Sequence, residues 1–174
     1  MHTYSINGKE RTNVLGSIGI LSMVIIWSIH HYLPDGVPVP SVFVLFGTLV
    51  LTFDKWLWRW MLFQKIFVKT PDLNGNWVVS SQSSIIHPEK VYNASLTIKQ
   101  TWTHIHIFFD GEKSSSESVM AGIEIKTDDM FFLKWEYRAE YKPTFADDPN
   151  NKIHYGMTKL LLKPVSTLDA MGGK

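Results

Sequence analysis

VYNASLTIKQTWTHIHIFF, residues 91–109, carries the fold in its alternation. Leu96 and Ile98 alternate with Ser95, Thr97 and Lys99, and Ile105 and Ile107 alternate with His104 and His106. Successive side chains of an extended chain point to opposite faces, so the run predicts two strands, broken or bulged near residues 101–103. Asp110-Gly111 follows at once and is a hairpin turn signal. Gln100 shares a face with Leu96 and Ile98, which sets an amide inside or at the mouth of a barrel.

Outward from this run the same kind of segment repeats. Asn74-Gly75-Asn76-Trp77-Val78-Val79-Ser80 reads as a first strand after an N-G turn. Residues 114–126 give a polar strand with Val119, Ala121, Ile123 and Ile125 on one face. Asp128-Asp129 is a turn, residues 130–138 a strand, residues 143–151 a loop, and residues 153–162 the last clear strand. Helical periodicity is absent after Thr70. About six short strands with closely spaced turns predict an antiparallel sandwich or small barrel. A closed barrel is favoured because it leaves no exposed edge. In the last strand Ile153, Tyr155, Met157, Lys159 and Leu161 share one side. In the strand before it, Phe131, Leu133, Trp135 and Tyr137 oppose Phe132, Lys134, Glu136 and Arg138. Alternation alone leaves open which face is inward.

The chain before Thr70 is of another kind. Residues 14–33 run VLGSIGILSMVIIWSIHHYL, twenty positions without Asp, Glu, Lys or Arg. An α-helix needs about 20 apolar residues to cross ~30 Å of hydrocarbon. Residues 37–53, VPVPSVFVLFGTLVLTF, form a second uncharged stretch. It leads into Trp56, Trp58 and Trp60, interleaved with Lys55 and Arg59, the composition of a membrane–water interface. Only PDGVPVP separates the two, so the pair predicts a transmembrane hairpin with spans over 14–33 and 38–58. A buried core helix is ordinarily shorter than the first stretch. A cleaved signal peptide would have a more basic start and a small-residue cleavage site, and no second apolar stretch would follow. Asp54 and Lys55 shorten the second span, and tilt can compensate. Two domains follow: the hairpin over 1–70 and the β-domain over 71–174.

Charge sorts the same way. The 17 basic and 16 acidic residues, net +1, are a sum over unlike parts. Residues 1–70 hold six bases and three acids; residues 71–174 hold eleven and thirteen. Lys9 and Arg11 precede the first span, Lys55, Arg59, Lys65 and Lys69 follow the second, and the loop between carries only Asp35. The positive-inside rule therefore puts both termini of a multi-pass protein in the cytoplasm. The absence of cysteine agrees with a cytosolic β-domain and excludes disulfides and thiol chemistry. The Asn93-Ala94-Ser95 sequon then has no meaning. A near-neutral balance gives no footprint for a DNA or RNA polymer.

Motifs for catalysis are missing. There is no G-x-S-x-G, P-loop, G-x-G-x-x-G or H-E-x-x-H. Asp128-Asp129 and Asp147-Asp148 sit in turn contexts, where Asp is common for conformational reasons. His104-x-His106 places two imidazoles on one strand face, but His87 and His154 are far off in sequence, and surface or cross-strand-paired histidines are the favoured reading. No enzyme, resident cofactor or metal is expected. Ligand binding is better motivated. Trp77, Trp102, Trp135, Tyr92, Tyr137, Tyr141 and Tyr155 offer ring faces, most of them as core. Exposed rings can stack on nucleobases, and cations can meet phosphates. Tyr155 and Lys159 on one face, with Arg138 in the strand before, are the preferred candidates. A membrane-anchored, lipocalin-like carrier of an apolar small molecule and a fully packed interaction module are the alternatives.

Two apolar stretches precede D-L-N-G-N-W (residues 72–77), I-K-Q-T-W-T (98–103), S-S-S-E-S (114–118) and H-Y-G-x-x-K-L (154–160). This order resembles the membrane-anchored β-barrel effectors of bacterial CBASS anti-phage systems. The resemblance implies a lipocalin-like barrel of about eight strands behind two transmembrane helices. It implies a sensor for a cyclic dinucleotide made by a CD-NTase after phage infection. It further implies ligand-induced homo-oligomerisation and disruption of the lipid of the bacterial inner membrane. Within its motifs, Gln100, Trp102, Thr103, Tyr155 and Lys159 are carried forward as ligand candidates beside Arg138. Family members continue into a further strand segment rich in Thr and Arg, whereas this chain stops at Lys174, which leaves the expected barrel about two strands short.

Overall fold

A computed structural model describes residues 1–6, 8–34, 38–82, 91–127, 130–142 and 153–162. The turn at Asp128-Asp129, the loop over 143–151 and the end of the chain from 163 lie outside the described residues. Two compact units form: Met1–Ser5 with Asp72–Lys174, and Ile6–Pro71.

The first unit is a sheet of seven strands: β1 (His2–Ser5), β2 (Gly75–Gln82), β3 (Val91–Gln100), β4 (His104–Asp110), β5 (Ser114–Thr127), β6 (Met130–Tyr141) and β7 (His154–Leu162). Their order is β2-β3-β4-β1-β5-β6-β7. The break expected near residues 101–103 is a tight turn, closed by Thr101 N–H on His104 C=O at 2.8 Å. The Asp110-Gly111 turn is closed by Gly111 N–H on Ser114 C=O at 3.0 Å. β2 opens on Gly75 at φ 141°, a backbone that side chains with a Cβ rarely adopt.

One expectation is corrected: the sheet is mixed rather than wholly antiparallel, because β1 runs parallel to β5. The seven strands curl into a half-barrel, which fits the barrel-like fold expected, and among the described residues β2 and β7 are its edges. The sequence gives no sign of β1. β4 and β5 pair directly only over Phe108 to Asp110, and beyond that point β1 fills the fork between them.

One face of the sheet is the core. Leu96, Ile98, Ile105, Ile107, Ala121, Ile123, Leu133, Trp135 and Ala139 are buried. Register explains the clustering: Ile98 faces Ile107, Ala121 faces Trp135, and Ile123 faces Leu133. Each fully buried side chain of this size contributes about 1.5–3 kcal/mol. The inward face left open by alternation is thus that of Leu133 and Trp135, and the face of Tyr155, Met157 and Lys159 points outward. One strand breaks its expected pattern. A register shift lies between Ser118 and Met120, so Ser116 and Ser118 are inward before it and Ala121 and Ile123 after it. Val119, predicted to share a face with Ala121, is the extra residue of this β-bulge and is exposed.

The second unit holds α1 (Gly8–Tyr32), α2 (Val42–Lys55), a 3₁₀ turn (Leu57–Arg59) and α3 (Met61–Ile66). Among the described residues, Lys9–Tyr32 is the one helix long and apolar enough to cross a membrane. Within the second stretch expected over 38–58, α2 covers Val42–Lys55. Ser41 caps α2, its hydroxyl accepting Val44 N–H at 3.3 Å, and the helix ends at Lys55. The resulting 14 residues span about 21 Å at 1.5 Å per residue. Past Trp56 the chain turns through the 3₁₀ segment, and Phe53 and Phe63 meet edge to face at 5.6 Å. Glu10 is buried in the first turn of α1, where its carboxylate accepts Lys69 N–H at 3.0 Å and Thr70 O–H at 2.8 Å.

Candidate ligand-binding surface and family

The six ligand candidates fall into two groups. Gln100, Trp102 and Thr103 lie at the end of β3 and the turn into β4, with Gln100 and Trp102 each 1% exposed. The Gln100 carbonyl oxygen accepts Leu73 N–H at 2.8 Å, and its amide nitrogen donates to the Tyr4 hydroxyl at 3.0 Å. Asn74 completes the knot: its Oδ1 accepts Gln100 N–H at 2.7 Å and its Nδ2 donates to Gln100 C=O at 3.0 Å. Burial of an amide is tolerated because each end is satisfied, and this amide is committed to joining β1, β3 and the chain entering β2. Thr103 is half-buried, with its hydroxyl 2.8 Å from His104 Nδ1.

Arg138, Tyr155 and Lys159 lie on the outward face of β6 and β7. Arg138 and Tyr155 are directly opposed across the two strands, and Lys159 is opposed to Lys134. Tyr155 is 72% exposed. The cations on this face already have partners. Arg138 pairs with Glu140, Lys134 pairs with Glu124, and the Lys159 ammonium sits 4.0 Å above the Phe132 ring. The hydrogen bond and charge of Lys134 hold the Glu124 carboxyl below its ordinary range.

The bulge shapes this face. A shallow depression of about 320 Å³ is lined by Val119, Glu136, Tyr155, Gly156 and Met157. One of about 240 Å³ lies beside it, lined in part by Met120, Lys134 and Met157. Another of about 320 Å³, reaching Phe108, Glu117 and Arg138, also touches Val119. The depressions form a row along β5 to β7. Tyr155 and Met157 offer flat apolar surface to a base, and Arg138, Lys134 and Lys159 can exchange their present partners for a phosphodiester. Sequence reasoning missed Val119 and Met120 here, because a bulge leaves no mark in alternation.

The H-Y-G motif has a physical basis. A Cβ on Gly156 would lie 2.5 Å from the Tyr137 hydroxyl, so the glycine leaves room for that ring across β7. On the inward face Tyr137 and Tyr141 each hold their ring centroid 6.4 Å from that of His154. From sequence the two tyrosines are offered as ring faces, most such rings being core, and His154 is treated apart from them, as a histidine distant from the His104-x-His106 pair. His104 and His106 lie on the outward face of β4, and no cluster of three His, Asp, Glu or Cys converges among the described residues.

The described residues thus form a curled sheet with an aromatic and cationic outward surface, in a chain that also carries a long apolar helix. Residues 68–173 match the Cap15 cyclic dinucleotide receptor domain. The chain belongs to this family, the cyclic-dinucleotide-sensing effectors of CBASS, as the order of motifs implied. No curated protein and no solved structure matches it.

Proposed function

We propose that a cyclic dinucleotide made by a CD-NTase binds the sheet, that the ligated chains self-associate, and that their helices disrupt the bacterial inner membrane. The family match over residues 68–173 carries this reading. The helical unit supports its output: Ile20, Met23, Trp27 and Phe43 are 66%, 64%, 63% and 87% exposed, as side chains meant for lipid would be. In this reading α1 crosses the bilayer, and α2 with the apolar residues Trp56, Trp60, Met61 and Leu62 beyond it returns. Lys9 and Arg11 before the first span and Lys55, Arg59, Lys65 and Lys69 after the second lie on the same side and keep both termini cytoplasmic. Arg138 and Lys159 contact phosphate and Tyr155 stacks on a base, while Gln100, Trp102 and Thr103 shape the far end of the sheet. The protein is a sensor with no catalytic step. Its switch requires ligand to bind the associated state better than the single chain.

The test is inducible expression with and without the cognate synthase, following membrane integrity with an impermeant dye. Dye entry only when the synthase is present is the expected result. Entry without the synthase, or none with it, overturns the reading.

A further inference from the structure

β1 is the shortest strand of the sheet unit, and its ladder pairings are few, to which Tyr4 N–H adds a bond to Thr103 C=O at 3.3 Å. It opposes β4 at His2–Ile105 and Thr3–His104, and β5 at Tyr4–Ala121 and Ser5–Gly122. By contrast, β5 and β6 oppose each other at twelve positions. The fork that β1 fills has Ser118 at its apex. The Ser118 hydroxyl oxygen accepts Ile107 N–H at 2.9 Å and lies 2.8 Å from His2 Nε2. Tyr4 is buried and reaches two groups of the β3–β4 corner, the Gln100 amide and the Thr101 carbonyl.

The sequence then makes this strand consequential. Only Ile6 and Asn7 separate β1 from the start of α1. The chain passes between the units a second time at Pro71 and Asp72. In the sheet unit one buried side chain, Gln100, holds both passages, through Tyr4 and Leu73. In the helical unit one buried side chain, Glu10, does the same, joining the first turn of α1 to Lys69 and Thr70.

We propose that β1 is a releasable latch on the sensor sheet: docked in the β4–β5 fork it fixes the start of α1, and withdrawn it frees that helix to rearrange. Local opening in proteins runs from nearly free to globally costly, and a four-residue strand held at two positions per side belongs to the low end. Release of β1 leaves the remaining six strands paired in register. The consequence for membrane output rests on the proposed function; the release itself does not.

Two measurements on the full chain in lipid nanodiscs test it. In amide exchange, residues 3–5 are expected to exchange at least about tenfold faster than Ile123 and Leu133, a difference set by sub-global opening. Equal protection overturns the latch. The chain lacks cysteine, so Thr3→Cys with His104→Cys supplies a single possible disulfide. Directly opposed antiparallel residues have Cα atoms about 4.5–5.5 Å apart, within disulfide range. With cyclic di-AMP, cyclic di-GMP or cyclic GMP–AMP as probe, the oxidised form is expected to leak at least about tenfold less than the reduced form, with dithiothreitol restoring leakage. Equal leakage of the two forms overturns the latch. If the unsubstituted chain answers no cyclic dinucleotide, the proposed function fails, while the exchange rates still decide whether β1 opens.

Discussion

The two units use the same residue types in opposite ways. In the sheet, Ile105 and Leu133 are 0% exposed and Trp102 is 1% exposed; in the helices Ile20, Trp27 and Phe43 are 66%, 63% and 87% exposed. The sheet buries one apolar face on itself and presents a polar face to water. The helical unit buries Val14, Phe53, Trp58 and Val68 but leaves most of the apolar length of α1 exposed, and its hydroxyls turn inward on their own helices. Ser22, Ser28, Thr48 and Thr52 each donate to the carbonyl one turn back, at 2.7, 2.8, 2.8 and 2.8 Å. A hydroxyl satisfied by its own helix needs no water, which suits hydrocarbon. Burial, rather than hydropathy, therefore separates a core from an exposed apolar surface in this chain.

The strongest way to break this comparison is to truncate one residue on each side of it. Leu133→Ala is expected to cost about 2–5 kcal/mol in urea unfolding of the full chain in detergent. Ile20→Ala, on an exposed helix face, is expected to change the same midpoint little. Similar costs would remove the distinction. Ile20→Lys then sharpens it. A Lys at the centre of a spanning helix costs about 2.5–3.5 kcal/mol of insertion. The carbonate-resistant membrane fraction is expected to fall, and an unchanged fraction would deny α1 a lipid environment.

Much of the sheet was legible because its determinants are local. The break before His104, the turn after Asp110 and the strand that begins at Gly75 are all written in adjacent residues. The parts that were not legible depend on distant partners. His-Thr-Tyr-Ser at the N-terminus is too short to show alternation, and its place is set by β4 and β5, about a hundred residues away. The bulge at Val119 depends on register with Tyr137 and Glu136, which no single strand reveals. The same limit applies to the site. Arg138 and Tyr155, assigned from sequence to consecutive strands, are directly opposed in the sheet, a register the sequence alone does not give. Gln100, expected on the face of Leu96 and Ile98, is buried there, but its partners Tyr4 and Leu73 are structural, and nothing in I-K-Q-T-W-T names them.

Gln100 and Arg138 extend the comparison from units to the two faces of one sheet. Gln100→Leu leaves Leu73 N–H buried without its acceptor, at an expected cost of about 1–3 kcal/mol in the same unfolding assay. Arg138→Ala and Tyr155→Ala, at exposed positions, are expected to stay within about 0.5 kcal/mol of the parent in stability. Each is expected to weaken cyclic dinucleotide binding at least about tenfold, or about 1.4 kcal/mol, by calorimetry. If binding survives both outward substitutions and is lost with Gln100→Leu at unchanged stability, the ligand lies on the other face.

The smallest expected effect concerns β1 and contrasts it with the rest of its sheet. Burial lowers the His2 pKa below its ordinary value of 6.5, and the Met1 amine and the His106 and His104 imidazoles push the same way. A hydrogen bond between Nδ1 and the Thr3 carbonyl opposes them with less weight. A proton on Nδ1 leaves Nε2 free to accept from the Ser118 hydroxyl, so the neutral ring suits the fork. The undocked strand therefore binds protons more readily than the docked one. Docking is at full strength above 6.5 and weakens as pH falls from there toward the lower docked value, below which the loss is constant. Amide exchange of residues 3–5, corrected for intrinsic chemistry, is expected to rise between about pH 8 and about pH 5.5 while Leu133 is unchanged. His2→Gln is expected to remove most of that slope. Tighter docking at low pH would reverse the sign and place the neutral ring outside the fork.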